Sequence, residues 1–282
     1  MNYRHAYHAG NFADVVKHAV LVRIVEYLKH KDKAFRVIDT HAGIGLYDLT
    51  SQEAQKTGEW RDGIGRLVDA NVDNETANLL NPLLAAVHAV NQDGSIQHYP
   101  GSPCLVRHLL RKQDRLTAIE LHPQDAACLK QTFSGDFQTR VIELDGWLAL
   151  GGHLPPKEKR GLVLIDPPYE KEDEFERIVA RLRKAHARWP GGIYAIWYPI
   201  KKHETIKAFR DNLAGSGIAD TIDIRLELRA PSTEPQLDGT GMIVVNPPFV
   251  LHEEMNVLLP VLARILGDSE EGRWGIERLT AE

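Results

Sequence analysis

Residues 161–169 read Gly-Leu-Val-Leu-Ile-Asp-Pro-Pro-Tyr, and this stretch decides the fold class. Its apolar run, residues 162–165, is typical of a strand that is buried on both faces of a parallel sheet. The two prolines that follow cannot donate ladder hydrogen bonds, so the chain must leave the sheet there. We therefore expect Asp166 and Tyr169 at the carboxyl edge of a parallel sheet, where α/β proteins bind their ligands.

In this position, Asp-Pro-Pro-Tyr resembles the catalytic motif of S-adenosylmethionine enzymes that methylate adenine N6, cytosine N4 or a glutamine amide. An exocyclic amine is a poor nucleophile because its lone pair is delocalised into the ring. The Asp166 carboxylate and the Pro167 carbonyl can each accept one N–H and aim the lone pair at the methyl group. Pro168 belongs to the same motif, and Tyr169 offers a face for base stacking, worth ~1–3 kcal/mol. A strand-terminating turn with a buried aspartate cap is the alternative.

A glycine-rich loop follows another predicted strand, residues 35–39. It reads Thr-His-Ala-Gly-Ile-Gly at residues 40–45, and its glycines let the backbone turn tightly and approach a ligand. The order resembles the first motif of S-adenosylmethionine enzymes, Asp-x-Phe-x-Gly-x-Gly, with His41 in the aromatic position and Gly43 as the first glycine. The third glycine of a dinucleotide fingerprint is missing, and so is the Gly-Lys-Ser/Thr of a P-loop.

Two further predicted strands lead into acidic residues. Residues 115–120 end at Glu120, and a strand beginning at Thr139 is followed by Asp145. A carboxylate after the second strand can accept two ribose hydroxyls, and the acid after the third strand is placed to meet an adenine amine. Each acid by itself is better explained as a helix N-cap. In series with Asp166, they favour a cofactor cleft.

The rest of the chain completes a doubly wound α/β pattern. A kink or break is expected at Pro260, and the polar tail after Gly267 is expected to fray. We therefore predict one domain over residues 1–282 with the Rossmann-like class I S-adenosylmethionine-dependent methyltransferase fold and a seven-stranded, mostly parallel sheet. The remaining predicted helices and strands are helices over residues 172–188, 203–213 and 255–266, and strands over residues 193–199, 221–229 and 241–245.

A second proline pair, Asn-Pro-Pro-Phe at residues 246–249, matches the same amino-methyltransferase pattern. One methyl group in one cleft cannot be served by two such loops. Asp166 follows the fourth strand counted from the glycine-rich loop, whereas Asn246 follows the seventh, which is the expected antiparallel strand. Its end should point to the opposite edge, so we interpret Asn246 as structural.

Residues 47–101 exceed a minimal fold. Residues 60–68 and 76–90, the latter interrupted at Pro82, read as helical, so we predict a small helical insertion subdomain beside the cofactor edge. Ser102 follows the insertion directly. It could cap the next helix, and it could also lie near the methionine end of a cofactor.

The first 11 residues are rich in aromatic and hydrogen-bonding side chains. We predict a mobile N-terminal flap, residues 1–11, that covers the cofactor and touches the substrate, with Tyr3 stacking and Arg4 beside it. A helix is expected to begin near Phe12. Three nearby histidines suggest a metal, but no cysteine or glutamate completes a four-donor set, so no metal site is predicted.

The composition is that of a soluble globular protein. The 282 residues are 43% hydrophobic and carry a formal net charge of −5, so any basic surface for nucleic acid must be local. No apolar run reaches the ~18–20 residues that span a bilayer, and no signal-peptide core is present. Cys104 and Cys128 make neither a disulfide framework nor a metal quartet, and we expect buried free thiols in a reducing cytoplasm.

Motifs in nearly the whole chain resemble, in order, the ribosomal large-subunit RNA methyltransferase J family. They include Tyr-Arg-His-x-x-His-Ala-Gly-Asn at 3–11, Asp-x-x-Lys-His at 14–18, Asp-Thr-His-Ala-Gly at 39–43, Thr-Gly-Glu at 57–59, Tyr-Pro-Gly-Ser-Pro at 99–103, Glu-Leu-His-Pro at 120–123, Leu-Ile-Asp-Pro-Pro-Tyr-Glu at 164–170, Trp-Tyr-Pro at 197–199 and Gly-Met-Ile-Val-x-Asn-Pro-Pro at 241–248. The resemblance implies methylation of adenine N6 in 23S ribosomal RNA with S-adenosylmethionine.

The resemblance also implies roles for individual residues. Asp166 is the implied active-site acid, and Tyr3 the implied RNA contact. The family carries Glu-Asp where this chain has Leu144-Asp145, so Leu144 can act only through its backbone or apolar packing. The cofactor contacts that the resemblance implies are His18, His41, Ser102, Glu120, Leu144 and Asp145. We add the neighbouring residues Lys17 and Gly43 to the predicted cofactor site.

Three classes of function remain open at this point. The first is the RNA adenine methyltransferase, acting as a monomer on naked 23S RNA or an early assembly intermediate, with no obligate protein partner and no membrane. A DNA adenine enzyme would normally need a larger recognition region than the 55-residue insertion, and a glutamine-amide enzyme would prefer asparagine at Asp166. The second class, a small-molecule Rossmann enzyme, leaves Asp-Pro-Pro-Tyr unexplained. The third is a non-catalytic RNA-binding protein, which the intact Asp166 and Tyr169 argue against.

Overall fold

The apolar run that ends at Ile165 forms a central strand of the sheet. The structure is a computed structural model that describes residues 4–92, 94–229, 236–267 and 272–281. The strands of these ranges are β1 (Arg36–Asp39), β2 (Leu46–Asp48), β3 (His98–Pro100), β4 (Arg115–Glu120), β5 (Thr139–Glu143), β6 (Gly161–Ile165), β7 (Ile193–Ile200), β8 (Thr221–Glu227), β9 (Gly239–Val245) and β10 (Arg273–Thr280). The α-helices of the same ranges are α1 (Phe12–Lys29), α2 (Gln52–Thr57), α3 (Arg66–Val68), α4 (Asn74–Ala89), α5 (Ser102–Leu109), α6 (Pro123–Thr132), α7 (Gly146–Gly152), α8 (Glu174–Arg188), α9 (His203–Ala214) and α10 (Leu251–Leu266).

The main sheet has the strand order β10-β8-β9-β7-β6-β1-β4-β5. Five neighbouring strands are mutually parallel, namely β7, β6, β1, β4 and β5. Strand β9 is antiparallel to β7 and β8, and β10 is antiparallel to β8. The chain moves from β1 outward to β4 and β5 and then returns to the other side of β1 with β6. The carboxyl ends of these strands meet at this switch point, where open α/β sheets bind ligands. The predicted α/β class and mostly parallel sheet are confirmed.

Both faces of the central strands are buried. Val163 and Ile165 pack with α7, α8 and α9 on one face, whereas Leu162 and Leu164 pack with α1, α5 and α10 on the other. Burying each such side chain contributes about 1.5–3 kcal/mol. The uninterrupted apolar sequence of β6 follows from this two-sided burial.

Helix α1 carries polar residues into the interior beside the carboxyl edge. The Asn11 side chain caps it by accepting a hydrogen bond from the Asp14 amide at 3.0 Å. The helix is buried nearly all round because it contacts α4, α5, α10 and the sheet. Asp14, Lys17 and His18 are therefore buried polar side chains, which need polar partners.

The chain between β1 and α5 contains β2 and β3, which pair as a separate two-stranded sheet, with α2, α3 and α4 between them. A π-helical turn, Arg61–Gly65, precedes α3. There the Ile64 amide donates to the Gly10 carbonyl at 2.8 Å, and a Cβ on Gly63 would overlap that carbonyl. Residues 47–101 thus contact the segment that precedes α1. The assignment of these residues to a separate insertion subdomain stays a prediction.

Two prolines do not interrupt their helices. Helix α4 runs through Pro82 and α10 through Pro260, so the predicted interruption at Pro82 and a break at Pro260 are wrong, whereas the alternative of a kink at Pro260 stays a prediction. Each proline removes one helical hydrogen bond, but buried leucines on both sides, such as Leu80 and Leu258, keep the helix packed. Among the described helices, none combines the length and apolar character that a membrane crossing requires.

The tail after Gly267 does not fray throughout. Residues 273–280 form β10, which extends the sheet to eight strands rather than the predicted seven. The strand pairs antiparallel with β8 and packs Ile276 and Leu279 against the core, while exposed ion pairs such as Arg273–Glu227 and Arg278–Asp220 lie along it. Its residues are exposed or only partly buried, so its sequence lacks the apolar run that marks a buried strand. The prediction of a buried Cys128 is also wrong, because this thiol is exposed on α6, whereas Cys104 is half-buried.

Candidate active site

Four carboxylates follow parallel strands at the switch point. Asp39 ends β1, Glu120 ends β4, Asp145 follows β5 and Asp166 follows β6. Glu120, Asp145 and Asp166 line one cleft of about 830 Å³. Asp39 is fully buried and contacts Ser102, which lines the same cleft. Ligand pockets commonly span ~300–1,000 Å³, so this cleft has room for a cofactor and a base.

The Asp166 carboxylate contacts a buried lysine. Lys17 Nζ lies 2.6 Å from Asp166 Oδ2 and 2.8 Å from Asp14 Oδ1. The side chains of Lys17 and Asp14 are only 4% and 2% exposed, whereas that of Asp166 is 15% exposed. Lys17 Nζ also lies 5.7 Å from the centroid of the Trp197 ring. The ammonium of this predicted cofactor contact is thus engaged by two carboxylates.

The charges of this group are mutually stabilised. Burial alone would lower the pKa of Lys17, but Asp14 and Asp166 outweigh it and raise that pKa above its ordinary value. Burial would likewise raise the pKa of Asp14, yet His5 and Lys17 hold it well below its usual range. Lys17 is therefore a cation and Asp14 an anion throughout the neutral range.

The glycine-rich loop and Glu120 form one wall. Glu120 Oε2 accepts the Gly43 amide at 2.9 Å, and its Oε1 accepts the His122 amide at 2.8 Å. Gly43 has φ 59°, and a Cβ there would overlap the Tyr47 hydroxyl, so the position requires glycine. Burial raises the pKa of Glu120. Each carboxylate oxygen keeps a lone pair for a further donor.

A second part of the lining is aromatic and charged, and it includes His41 of the glycine-rich loop. The rings of His41 and Trp147 meet edge-on at 5.5 Å, and Arg177 lies over Trp147 and 3.4 Å from Asp145. Burial lowers the pKa of His41 to about 4, so its imidazole is neutral. A Cβ on Gly146 would lie 2.2 Å from the Thr40 carbonyl, so glycine lets the start of α7 approach the glycine-rich loop.

His18 lies in the floor of the cleft. Its Nδ1 shares a 2.7 Å hydrogen bond with the Tyr99 hydroxyl, and the two rings stack. Burial lowers the pKa of His18 to about 3. Its buried Nε2 has no hydrogen-bond partner among the described residues. A buried nitrogen of this kind in a cleft wall can serve a bound polar ligand.

Ser102 does not cap α5 as the sequence predicts, because it is the first residue of that helix and Gly101 occupies the cap position. Its hydroxyl instead donates to Asp39 Oδ2 at 2.6 Å. Burial raises the pKa of Asp39 to about 7, against the lowering effect of the Ser102 hydrogen bond. Asp39 is the last residue of β1 and Ser102 the first residue of α5, so this hydrogen bond joins the end of the strand to the start of the helix.

Tyr169 is held firmly at the cleft. Its hydroxyl donates to the Trp197 carbonyl, and its ring packs against Phe175 and Trp197 at centroid distances of 5.0 and 5.6 Å. Its backbone adopts φ 51°. A bulky residue rarely adopts this left-handed conformation, and such strain concentrates at functional sites.

The N-terminal segment covers one side of the cleft. His5 Nε2 lies 2.8 Å from Asp14 Oδ2, and His8 Nδ1 lies 3.0 Å from both carboxylate oxygens of Glu59. Asn11 also donates to Glu59, at 2.9 Å. These histidines therefore contact carboxylates of α1 and the insertion. Arg4 is exposed and lies 3.7 Å from Asp125.

The structure brings most of the predicted site residues together. Leu144 is the exception within the cofactor set, since it lies outside the lining and its amide donates to the Glu120 carbonyl. Arg4 also lies outside the lining, and Tyr3 falls outside the described residues. The predicted residues that line the cleft are Lys17, His18, His41, Gly43, Ser102, Glu120, Asp145, Asp166, Pro167, Pro168 and Tyr169.

Several cleft residues were given no role from the sequence. Asp14 could have been found, because it stands three residues before Lys17 on one helix face. Glu59 belongs to the Thr-Gly-Glu segment at 57–59, which signalled the family without indicating a contact. Trp197 likewise belongs to the Trp-Tyr-Pro motif at 197–199, whereas Trp147 and Arg177 carry no local signal that separates them from core or surface residues.

Known proteins resemble the chain over its whole length. The profile of the family described as "Ribosomal RNA large subunit methyltransferase D, RlmJ" matches residues 32–280. Ribosomal RNA large subunit methyltransferase J of Haemophilus influenzae is 40% identical over 100% of both chains. The protein of the same name from Escherichia coli is 42% identical over 93% of this chain and 92% of its own. The crystal structure of a Legionella pneumophila protein superposes with a TM-score of 0.87, at 32% identity, over 96% of this chain and 98% of its own.

Proposed function

Because the chain belongs to the family of ribosomal RNA large subunit methyltransferase D, RlmJ, we propose that it transfers a methyl group from S-adenosylmethionine to N6 of one adenine in 23S ribosomal RNA. The observation that carries this proposal is the position of Asp166. Its carboxylate follows a buried parallel strand, opens into the cleft and precedes two prolines and Tyr169. An acid in this setting suits the orientation of an exocyclic amine.

The residues of the cleft fit S-adenosylmethionine, which carries a methyl group on a sulfonium. When a nitrogen lone pair bonds to that methyl carbon, the C–S bond breaks and the neutral thioether is the leaving group. Glu120 would hold the ribose hydroxyls, since each of its oxygens has accepting capacity beyond the backbone amides. Asp145 would meet the adenine amine. The unpartnered Nε2 of His18 and the hydroxyl of Ser102 supply polar contacts at the buried end.

The target amine would be oriented by two acceptors. Asp166 Oδ1 would take one N–H, because Lys17 contacts the other oxygen. The Pro167 carbonyl, which accepts no hydrogen bond from the described residues, would take the second. Two fixed acceptors direct the nitrogen lone pair toward the methyl group without solvent reorganisation. The Tyr169 ring, held by Trp197 and Phe175, would stack on the extruded base.

The RNA would approach past the N-terminal segment. We place Tyr3 and Arg4 in contact with the RNA, since His5 and His8 of the same segment line the cleft. The substrate is naked 23S RNA or an early assembly intermediate, and the enzyme acts without an obligate protein partner.

The test is transfer of tritiated methyl from S-adenosylmethionine to protein-free 23S RNA, large ribosomal subunits, total DNA and release factor in parallel, with nucleoside analysis. We expect N6-methyladenosine in the RNA alone. The matched control is Asp166→Ala, which should bind S-adenosylmethionine with an affinity near that of the wild type and transfer nothing.

Other outcomes select other functions. Label in DNA or release factor would retain the catalytic motif and reject the ribosomal substrate. Cofactor binding without label in any acceptor would favour the non-catalytic RNA-binding protein.

A further inference from the structure

A continuous chain of polar contacts links the N-terminal segment to the Asp166 carboxylate. His5 Nε2 lies 2.8 Å from Asp14 Oδ2, Asp14 Oδ1 lies 2.8 Å from Lys17 Nζ, and Lys17 Nζ lies 2.6 Å from Asp166 Oδ2. The two middle members are buried, since exposure is 4% or less at Asp14 and Lys17 but 23% at His5 and 15% at Asp166. A buried array of this kind is rigid only when each member is satisfied.

Asp14 is the member with the most contacts. Its Oδ2 accepts the Gly10 amide at 2.9 Å in addition to meeting His5, while its Oδ1 meets Lys17. Both carboxylate oxygens are therefore fixed by groups from the N-terminal segment and from its own helix. Because Lys17 is one helical turn away, this carboxylate sets the position of the Lys17 ammonium.

The position of Lys17 determines which oxygen of Asp166 remains for a substrate. Lys17 contacts Oδ2 only, and no described residue donates to Oδ1. A lysine side chain without Asp14 could move between the two oxygens, since its four-carbon stem is flexible. Competition at Oδ1 would disturb the geometry that orients the target amine.

We propose that Asp14 is a positioning residue for methyl transfer, which holds the Lys17 ammonium on Asp166 Oδ2 and so reserves Oδ1 for the target amine. This inference rests on the proposed function of the same cleft. Asp14 would act through Lys17, since its two oxygens are already engaged by Lys17, His5 and the Gly10 amide.

The electrostatic consequence can be measured. The charged or titratable groups that act on Lys17 are Asp14 and His18 from α1, Asp166 after β6 and Asp39 from β1, and His5 from the N-terminal segment acts on Asp14. Asp14 supplies the largest effect that opposes burial, so its removal lowers the pKa of Lys17. A lysine is lost as a cation when the pH rises through its pKa, so the variant should lose activity on the alkaline side.

The experiment compares pH–rate profiles of wild type and Asp14→Asn for methyl transfer to 23S RNA. Asparagine keeps the size and one acceptor oxygen but removes the charge. We expect a wild-type kcat that is flat between about pH 8 and pH 10, and a variant kcat that is lower by about 10- to 100-fold at neutral pH and falls further across this range. The KM for S-adenosylmethionine should change less than about threefold.

Glu59→Gln is the matched control, because Glu59 anchors the same segment through His8 and Asn11 without contacting Lys17. It should weaken RNA binding but leave the alkaline profile flat. An Asp14→Asn profile parallel to that of the wild type, or an alkaline fall in both variants, would overturn the proposal.

A measurement on the wild type covers the case in which Asp14→Asn does not fold. Nitrogen-15 NMR of lysine-labelled protein should find one ammonium that stays charged beyond the ordinary lysine pKa of about 10.4. Absence of such a lysine would reject the inference. A wild type with this lysine but without RNA methylation would instead reject the proposed function.

Discussion

The molecule contains two loops of nearly the same sequence at opposite edges of one sheet. Asp166-Pro-Pro-Tyr follows the parallel strand β6, and Asn246-Pro-Pro-Phe follows the antiparallel strand β9. The first loop lines the cleft, whereas the Asn246 amide donates to the carbonyls of Pro190 and Gly192 at 2.7 and 2.6 Å. The direction of the preceding strand therefore separates a candidate catalytic loop from a structural one.

The two loops also use backbone strain differently. Tyr169 and Asn246 both have φ 51°, but asparagine tolerates this conformation far better than tyrosine. Phe249, the aromatic residue of the second loop, is 80% exposed and touches Tyr27 edge-on. The strained aromatic residue lies where a ligand is expected, and the unstrained loop closes a turn.

The largest effect is expected from Asp166→Ala. Methyl transfer should fall by about 10²–10³-fold or more, because an oriented acceptor for the target amine is lost. Calorimetric titration with S-adenosylmethionine should find near-normal affinity. Substantial transfer by Asp166→Ala would mean that the acceptor is assigned to the wrong loop. As a control, adding Asn246→Asp to the Asp166→Ala variant, which gives the second loop the acid of the first, should not restore methyl transfer.

A smaller loss of rate is expected from Tyr169→Ala. Removal of the stacking face should lower the rate by about 5- to 150-fold, which corresponds to the ~1–3 kcal/mol of one base–aromatic contact. Single-turnover kinetics with saturating RNA measures it. Phe249→Ala is the matched control in the second loop, and an equal loss there would remove the distinction between the loops.

Asn246→Ala should affect stability and not transfer. It leaves the Pro190 and Gly192 carbonyls without their donor and places alanine at positive φ, at a cost of about 1–3 kcal/mol in the free energy of unfolding. Urea denaturation measures this change. Asn246→Gly should lose the hydrogen bonds without the strain, so a greater destabilisation than that of alanine would contradict the explanation.

Phe249→Ser should change least. The side chain is exposed, so the free energy of unfolding should move by less than about 0.5 kcal/mol and methyl transfer should be unchanged. Thermal unfolding with a transfer assay checks both. A marked loss of RNA binding would assign the second loop to the substrate surface.

The order of the main strands could be predicted because each carries a local signal. The strand predicted at residues 115–120 coincides with β4, and the run before Asp166 is apolar enough for two-sided burial. Glu120, Asp145 and Asp166 were placed at one edge for the same reason, since the carboxyl ends of parallel strands meet. By contrast, β10 was missed because its residues are exposed or only partly buried and form no apolar run, so only its backbone pairing with β8 identifies it as a strand.

The contacts of the site were beyond local reasoning. Lys17 and Asp166 are 149 residues apart, and Ser102 and Asp39 are 63 apart. The sequence could propose a cap for Ser102, but the helix starts one residue earlier than that proposal required.

The sequence by itself determined the fold class, the family and the edge of the sheet at which the acids gather, because hydrophobic period, glycine and proline act over a few residues. Only the tertiary structure decided which side chains meet there. The contact of Lys17 with Asp14 and Asp166 exists because α1 packs across the sheet beside β6, and the burial that results makes each charge depend on its neighbours.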